Sequence, residues 1–160
     1  MYRQIHIRPT GPALFHSLLA FMLFLFAIPL SLLPPDAIAS EKPFAPNSID
    51  GVMIVSAEQA IDLILDNPDM PIIDSRKKTE YVKGHIEGAV SILNTEMTVQ
   101  DLEQIVPDRD SAILFYCNGI RCLRSSDAIR KARSWGYTNL IWFRGGWKEW
   151  TDKHLPVVAE

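Results

Sequence analysis

From Ile49 onward, short apolar runs of strand length alternate with stretches of helical period, and that alternation leaves few architectures open. Residues 52–55 form the first run. Ser56 follows as a helix N-cap with Gln59 three residues on, the spacing of a capping box, and residues 57–65 continue at helical period until Asn67 and Pro68 stop them. Residues 70–74 (MPIID) read as a buried strand, 77–83 as a short polar helix closed by Gly84, and 88–93 as a strand. Thr98 caps a helix that runs to Ile105 and ends at Pro107. Residues 112–116 (AILFY) are the strongest strand signal in the chain. A loop over 117–124 leads through Ser125 or Ser126 into a helix to Trp135, which Gly136 closes. Residues 139–143 make a last strand, Gly145 and Gly146 turn the chain, and 147–153 form a last short helix. Strands alternating with helices predict an α/β fold in three layers, a mostly parallel central sheet with helices on both faces. Ligand sites in such sheets lie outside the carboxyl ends of the strands. Cys117 directly follows the most buried strand, so it stands where that rule places a site.

The first 39 residues are of another kind. Arg3 and Arg8 precede an almost wholly apolar stretch over 13–33, then come Pro34, Pro35 and Asp36, then Ala37-Ile38-Ala39. Positive start, apolar middle and a small-residue cleavage pattern read as a secretory signal peptide cut near Ala39, which predicts a periplasmic or secreted protein; a retained membrane anchor is the alternative. Residues 40–48 are polar and proline-bearing and read as a flexible leader to a single domain over 49–160. Without residues 1–39 the chain keeps 121 residues, 14 of them basic and 18 acidic. That balance predicts no nucleic-acid partner, and cleavage would leave no stable membrane contact. Two cysteines are too few for a disulfide scaffold, and two thiols without further ligands predict no zinc site. Their spacing of five points to local chemistry.

The segment from Cys117 to Ser125 joins a buried strand to a helix. Free N–H groups and partial positive charge at a helix start stabilise a thiolate, and they also hold an anion. Gly119 lets the loop curl, and Arg121 and Arg124 add positive charge. Such a loop suits a nucleophilic sulfur that meets an anionic substrate. The plainer reading is an inert buried cysteine at a strand end.

Three blocks, in order, resemble the rhodanese family of sulfurtransferases. The segment IIDSRKKTEYVKGHIEGAVSI, residues 72–92, is similar to its DxR–E–GHIxGA signature and supplies Asp74, Arg76, Glu80, Gly84, His85, Ile86, Gly88 and Ala89. ILFYCNG puts Cys117 at the family's catalytic cysteine, and NLIWFRGGWKEW, residues 139–150, resembles its closing strand, glycine turn and Trp-bearing helix. The resemblance implies a rhodanese-like fold and a double displacement. Cys117 would take the outer sulfur of a small anionic donor such as thiosulfate, become a persulfide, and pass the sulfur to a thiol or cyanide. It implies no metal and no organic cofactor. Backbone amides of Asn118, Gly119, Ile120, Arg121 and Cys122, with Arg124 beside them, would bind substrate. Asp74 and Arg76 read as a brace for the loop, His85 as a structural residue shaping a turn, and Arg144 as a support pointing toward the loop, free to guide an anion or to pair with an acid.

The loop departs from the family at one point. Where the family carries a basic residue five positions after the cysteine, followed by Ser, this chain has Cys122; Arg-Ser recurs at Arg124-Ser125. The loop is therefore altered in length or shape. Cys122 reads as a resolving thiol that would attack the persulfide, as a reversible protector of Cys117, or as a small packing residue. A phosphatase or arsenate reductase needs Arg six positions after the cysteine to clamp a tetrahedral oxyanion, and that position is Leu123. The same residues also fit a sulfur-binding or sensing module without turnover, and a periplasmic thiol–disulfide protein that uses both cysteines.

Overall fold

The computed structural model describes residues 43–160. The expected signal peptide, residues 1–39, and the first residues of the leader lie outside them. Five strands run β1 Met53–Ile54, β2 Ile72–Asp74, β3 Ala89–Ser91, β4 Ile113–Tyr116 and β5 Leu140–Phe143. Five helices alternate with them: α1 Ala57–Asp66, α2 Lys78–Tyr81, α3 Val99–Ile105, α4 Arg124–Ser134 and α5 Gly146–Asp152. Every strand pairing is parallel, in the order β1-β5-β4-β2-β3.

Local sequence sets the helix starts. The Ser56 hydroxyl accepts the Gln59 N–H while the Gln59 side chain accepts the Ser56 N–H, and Thr98 does the same with Asp101. The strands divide the core by their period of two. Ile113 and Phe115 of β4 face one side, where Leu102 of α3 and Ala128, Ile129 and Ala132 of α4 cover them. Leu114 and Tyr116 face the other, under Ala57 and Ala60 of α1, Tyr81 of α2 and Trp150 of α5. A strand buried on both faces reads as an unbroken apolar run, which is why AILFY stands out.

Strand order reverses between β4 and β2. From β2 the chain moves outward to β3; from β4 it moves the other way to β5. Asp74 pairs in register with Tyr116, and the Ser75 N–H donates to the Tyr116 carbonyl at 2.9 Å. The crevice of the sheet is therefore bounded by the residues after Asp74 and after Tyr116, where Cys117 begins its loop.

The leader differs from expectation. Ala45 is buried in the core on the α3–α4 side, and its N–H donates to the Ile120 carbonyl at 2.7 Å. The described part of residues 40–48 is held against the domain, because an apolar side chain and a backbone hydrogen bond together offset the entropy of ordering it.

Candidate active site: the Cys117–Arg124 loop

Cys117 leaves β4 with its carbonyl accepting the Trp147 N–H at 2.8 Å, and the Asn118 carbonyl accepts the Lys148 N–H at 3.2 Å. The first turn of α5 thus satisfies the outward carbonyls of the loop. Two glycines permit the approach. Gly146 has φ 56°, and a Cβ there would lie 2.2 Å from the Cys117 carbonyl oxygen. Gly119 has φ 135°, and its Cβ would lie 2.8 Å from the Gly145 carbonyl oxygen. The Cys122 N–H closes a turn onto the Gly119 carbonyl at 2.9 Å, and α4 begins at Arg124. That start is one or two residues earlier than the sequence suggests, with Leu123 at the N-cap and no side chain capping it.

Both cysteines are free thiols, and they occupy different environments. Cys117 is buried, 1% exposed. Its Sγ lies 3.0 Å from Ser125 Oγ and donates to the Cys122 carbonyl at 3.3 Å. Trp142 Nε1–H donates to the same Ser125 Oγ at 2.9 Å. Indole N–H only donates, so Trp142 occupies an acceptor site of Ser125 and leaves its hydroxyl hydrogen to point at Cys117. Cys122 is half-buried. It lines the loop between Gly119, whose carbonyl accepts its N–H, and the start of α4.

Acidity is distributed otherwise than the strand–Cys–helix pattern suggests. Burial, then the neighbouring Cys122, pushes the Cys117 thiol up. The Cys117 hydrogen bond, the Arg124 and Asn118 amides and the Arg124 charge bring Cys122 down to about 6, against a smaller opposing effect of burial. The reason is position: the strand end that makes Cys117 prominent in the sequence also removes it from water, while the loop amides collect around Cys122.

A cavity of about 580 Å³ opens over the loop, lined by Asn118, Gly119, Ile120, Arg121, Cys122, Arg124 and Lys148. The six residues expected to bind substrate all border it, and Cys117 lies behind them. Lys148 escapes sequence reasoning, because its spacing on α5 gives no hint of this loop. The cations carry partners. Arg124 donates to Glu80 at 2.9 Å, Lys148 pairs with Asp152 at 2.6 Å, and the Arg121 guanidinium lies 4.2 Å from the Phe44 ring centroid. Glu80 also accepts the Asn118 side-chain amide at 2.7 Å, so one carboxylate ties both ends of the loop. Partial burial works against its charge, yet Asn118, the Lys77 backbone N–H and Arg124 hold its pKa below the ordinary value. Sequence reasoning places Glu80 in the signature without this task; its signal is the signature itself.

Below the loop lies the brace. Arg76 pairs with Asp74 at 2.6 Å, donates to the Gly84 carbonyl at 2.7 Å, and its guanidinium lies 4.3 Å from the Trp147 ring centroid. Tyr116 donates its hydroxyl to Asp74 at 2.6 Å. Burial opposes the Arg76 charge, and the Asp74 contacts outweigh it and hold the pKa up. His85 stacks on Tyr81 at 3.7 Å, its Nδ1 lies 3.0 Å from the Tyr81 carbonyl, and its backbone bridges to Val158. None of these contacts involves the cysteine loop. Arg144 corrects the expectation that it points toward the loop. It donates to the Pro46 carbonyl at 2.7 Å and the Ala45 carbonyl at 2.9 Å, and so pins the leader. The unsatisfied carbonyls of an irregular segment draw it there. Among the described residues, no helix is long and apolar enough to cross a membrane, and no His, Cys, Asp and Glu cluster could hold a metal ion.

This parallel sheet, with a cysteine loop at its switch point, matches the Rhodanese-like domain over residues 56–153, and the chain belongs to that family. It is 24% identical over 108 residues to YibN of Escherichia coli, covering 67% of this chain and 73% of that one. It is 33% identical over 118 residues to the tRNA uridine(34) hydroxylase of Erwinia tasmaniensis, covering 67% of this chain but 31% of the hydroxylase. Among solved structures, thiosulfate sulfurtransferase from Pseudomonas aeruginosa superposes with a TM-score of 0.59 at 23% identity, over 68% of this chain and 20% of that one. A Rhodopseudomonas palustris protein described as a possible tyrosine phosphatase superposes at 0.58 with 24% identity, over 71% of this chain and 98% of that one. These likenesses establish the shared fold.

Proposed function

We propose that this chain is a sulfurtransferase that moves a sulfane sulfur from a small anionic donor such as thiosulfate to a thiol or cyanide through a persulfide on Cys117. The observation that carries the reading is the setting of Cys117 Sγ. It meets the Ser125 hydroxyl at 3.0 Å, at the start of α4, beside a second cysteine whose thiolate can take its proton. As Cys117 Sγ attacks the outer sulfur of thiosulfate, its proton passes to Cys122, the donor S–S bond breaks, and sulfite leaves with the electron pair. The amides and the Ser125 hydroxyl stabilise the persulfide anion, which is where preorganised donors act best. An acceptor thiolate or cyanide then attacks the outer sulfur and returns Cys117 as a thiolate. A phosphatase reading is not favoured, because Leu123 stands where the oxyanion clamp needs Arg.

The experiment is intact-protein mass spectrometry after incubation with thiosulfate, followed by cyanide. The expected result is a gain of one sulfur atom per chain, its removal by cyanide as thiocyanate, and neither step in Cys117→Ser. A folded protein that takes no sulfur from thiosulfate or polysulfide, or a Cys117→Ser variant that still does, overturns the reading.

A further inference from the structure

The cavity over the loop is bordered by Cys122 and not by Cys117. Cys117 is 1% exposed, and its sulfur faces inward to Ser125 and the Cys122 carbonyl. A small ion can present a single sulfur atom to such a thiol. The sulfur of a bulky acceptor, carried on a peptide-sized molecule, comes no nearer than the cavity wall. Of the seven residues on that wall, Cys122 alone can carry sulfur covalently. Its carbonyl accepts the Cys117 thiol at 3.3 Å and the residue borders the open cavity, so Cys122 stands between the two. The family's basic residue at this position would hold an anion; a thiol there can accept a sulfur atom.

We infer that Cys122 is a second sulfur-carrying residue, which takes the sulfane sulfur from the Cys117 persulfide and delivers it in the cavity to bulky thiol acceptors. This rests on the sulfurtransferase reading above. In the step, Cys122 Sγ attacks the outer sulfur of Cys117–S–S⁻. A bond forms between Cys122 Sγ and that sulfur, and the Cys117–sulfur bond breaks. The electron pair stays on Cys117 Sγ, which takes the proton that Cys122 gives up. The products are a Cys122 persulfide anion and the Cys117 thiol, with nothing oxidised or reduced overall. An external thiolate then takes the outer sulfur and leaves Cys122 as a thiolate. The acceptor class is a thiol too large to reach past the cavity wall, such as a glutathione-sized or protein thiol. Cyanide is small enough to strip Cys117 directly.

Arg121 lies between the two cysteines, so trypsin places them on separate peptides. Protein loaded with isotopically labelled thiosulfate is freed of donor, mixed with glutathione, quenched at intervals with an alkylating agent, and digested. The expected result is labelled sulfur on both peptides, with the Cys122 label absent in Cys117→Ser. In Cys122→Ser, the Cys117 peptide loads more slowly, for want of its proton acceptor, but still loads fully from excess donor, and cyanide still yields thiocyanate; delivery of the loaded sulfur to glutathione slows by about tenfold or more. Retained loading of Cys117 in that variant also shows that the loop is intact. Label confined to the Cys117 peptide, or unchanged glutathione delivery in Cys122→Ser, overturns the inference while leaving the sulfurtransferase reading standing; label confined to the Cys122 peptide overturns the reading that Cys117 is the first carrier as well. Absence of label from both peptides of the unaltered protein sinks the two together.

Discussion

Asp74 with Arg76, and Cys117 with Cys122, sit at the carboxyl ends of neighbouring strands, yet they handle charge in opposite ways. The Asp74–Arg76 pair is almost wholly removed from water and saturated with partners: each other, the Tyr116 hydroxyl and the Gly84 carbonyl, with the Trp147 ring against the guanidinium. The cysteine loop keeps Cys122 at the edge of a cavity, where its neighbour Cys117 and the loop amides lower its pKa. A buried ion pair that lost a partner would strand a charge, so the brace has one arrangement. The cysteine loop instead leaves Cys122 on the wall of an open cavity, where its sulfur can react. The difference separates what holds the loop from what reacts in it.

The largest effects should fall on opposite sides of that division. Cys117→Ser should eliminate sulfur uptake and leave the melting curve nearly unchanged, as followed by mass spectrometry and thermal denaturation. Asp74→Asn should do the reverse. It leaves the Arg76 charge buried without its partner, and the expected loss is about 3–5 kcal/mol by denaturant titration. Below its melting range that variant should still load sulfur on Cys117. An Asp74→Asn protein of full stability with no sulfur uptake would move Asp74 from the brace to the chemistry.

Titration sharpens the comparison next. Alkylation of Cys122 should rise with pH around a midpoint of about 6, while Cys117 stays slow well above that. The linkage has a definite sign. The folded pKa of Cys122 lies below its ordinary value of 9.0, so the stability this thiolate contributes is fully present above that value. It is lost as pH falls through about 6. Equal stability at pH 5 and pH 9 in the unaltered protein, against Cys122→Ser as the reference, would show that the loop amides do not favour the thiolate.

Smaller effects follow at the two boundaries. Glu80→Gln removes the charge that pairs with Arg124 but keeps an acceptor for Asn118. Sulfur transfer should slow several-fold, with a stability change of about 1 kcal/mol or less, because the pair is partly exposed. Ser75 lies between the brace and the loop, and its buried hydroxyl meets no hydrogen-bond partner among the described residues. Ser75→Ala should therefore be neutral or stabilising by about 1 kcal/mol in denaturant titration. A clear loss would mean that the hydroxyl has a partner worth keeping.

The strands and helices could be read along the chain because local rules set them. AILFY is apolar throughout because both its faces are covered, and Ser56 and Thr98 cap helices through bonds that span three residues. The position of Cys117 after the central strand, and the pairing of Asp74 with Arg76, were equally legible, since a parallel sheet puts its crevice at strand ends. Other features belong to the tertiary structure alone. Glu80 reaches Asn118 and Arg124 from far along the chain, and Arg144 turns to the leader where the sequence suggested the loop. Above all, the sequence ranks Cys117 first by its place in a motif, whereas the lower pKa and the cavity edge belong to Cys122. Thiol acidity depends on burial and on which N–H groups converge on the sulfur, and those are properties of the folded loop that no spacing records.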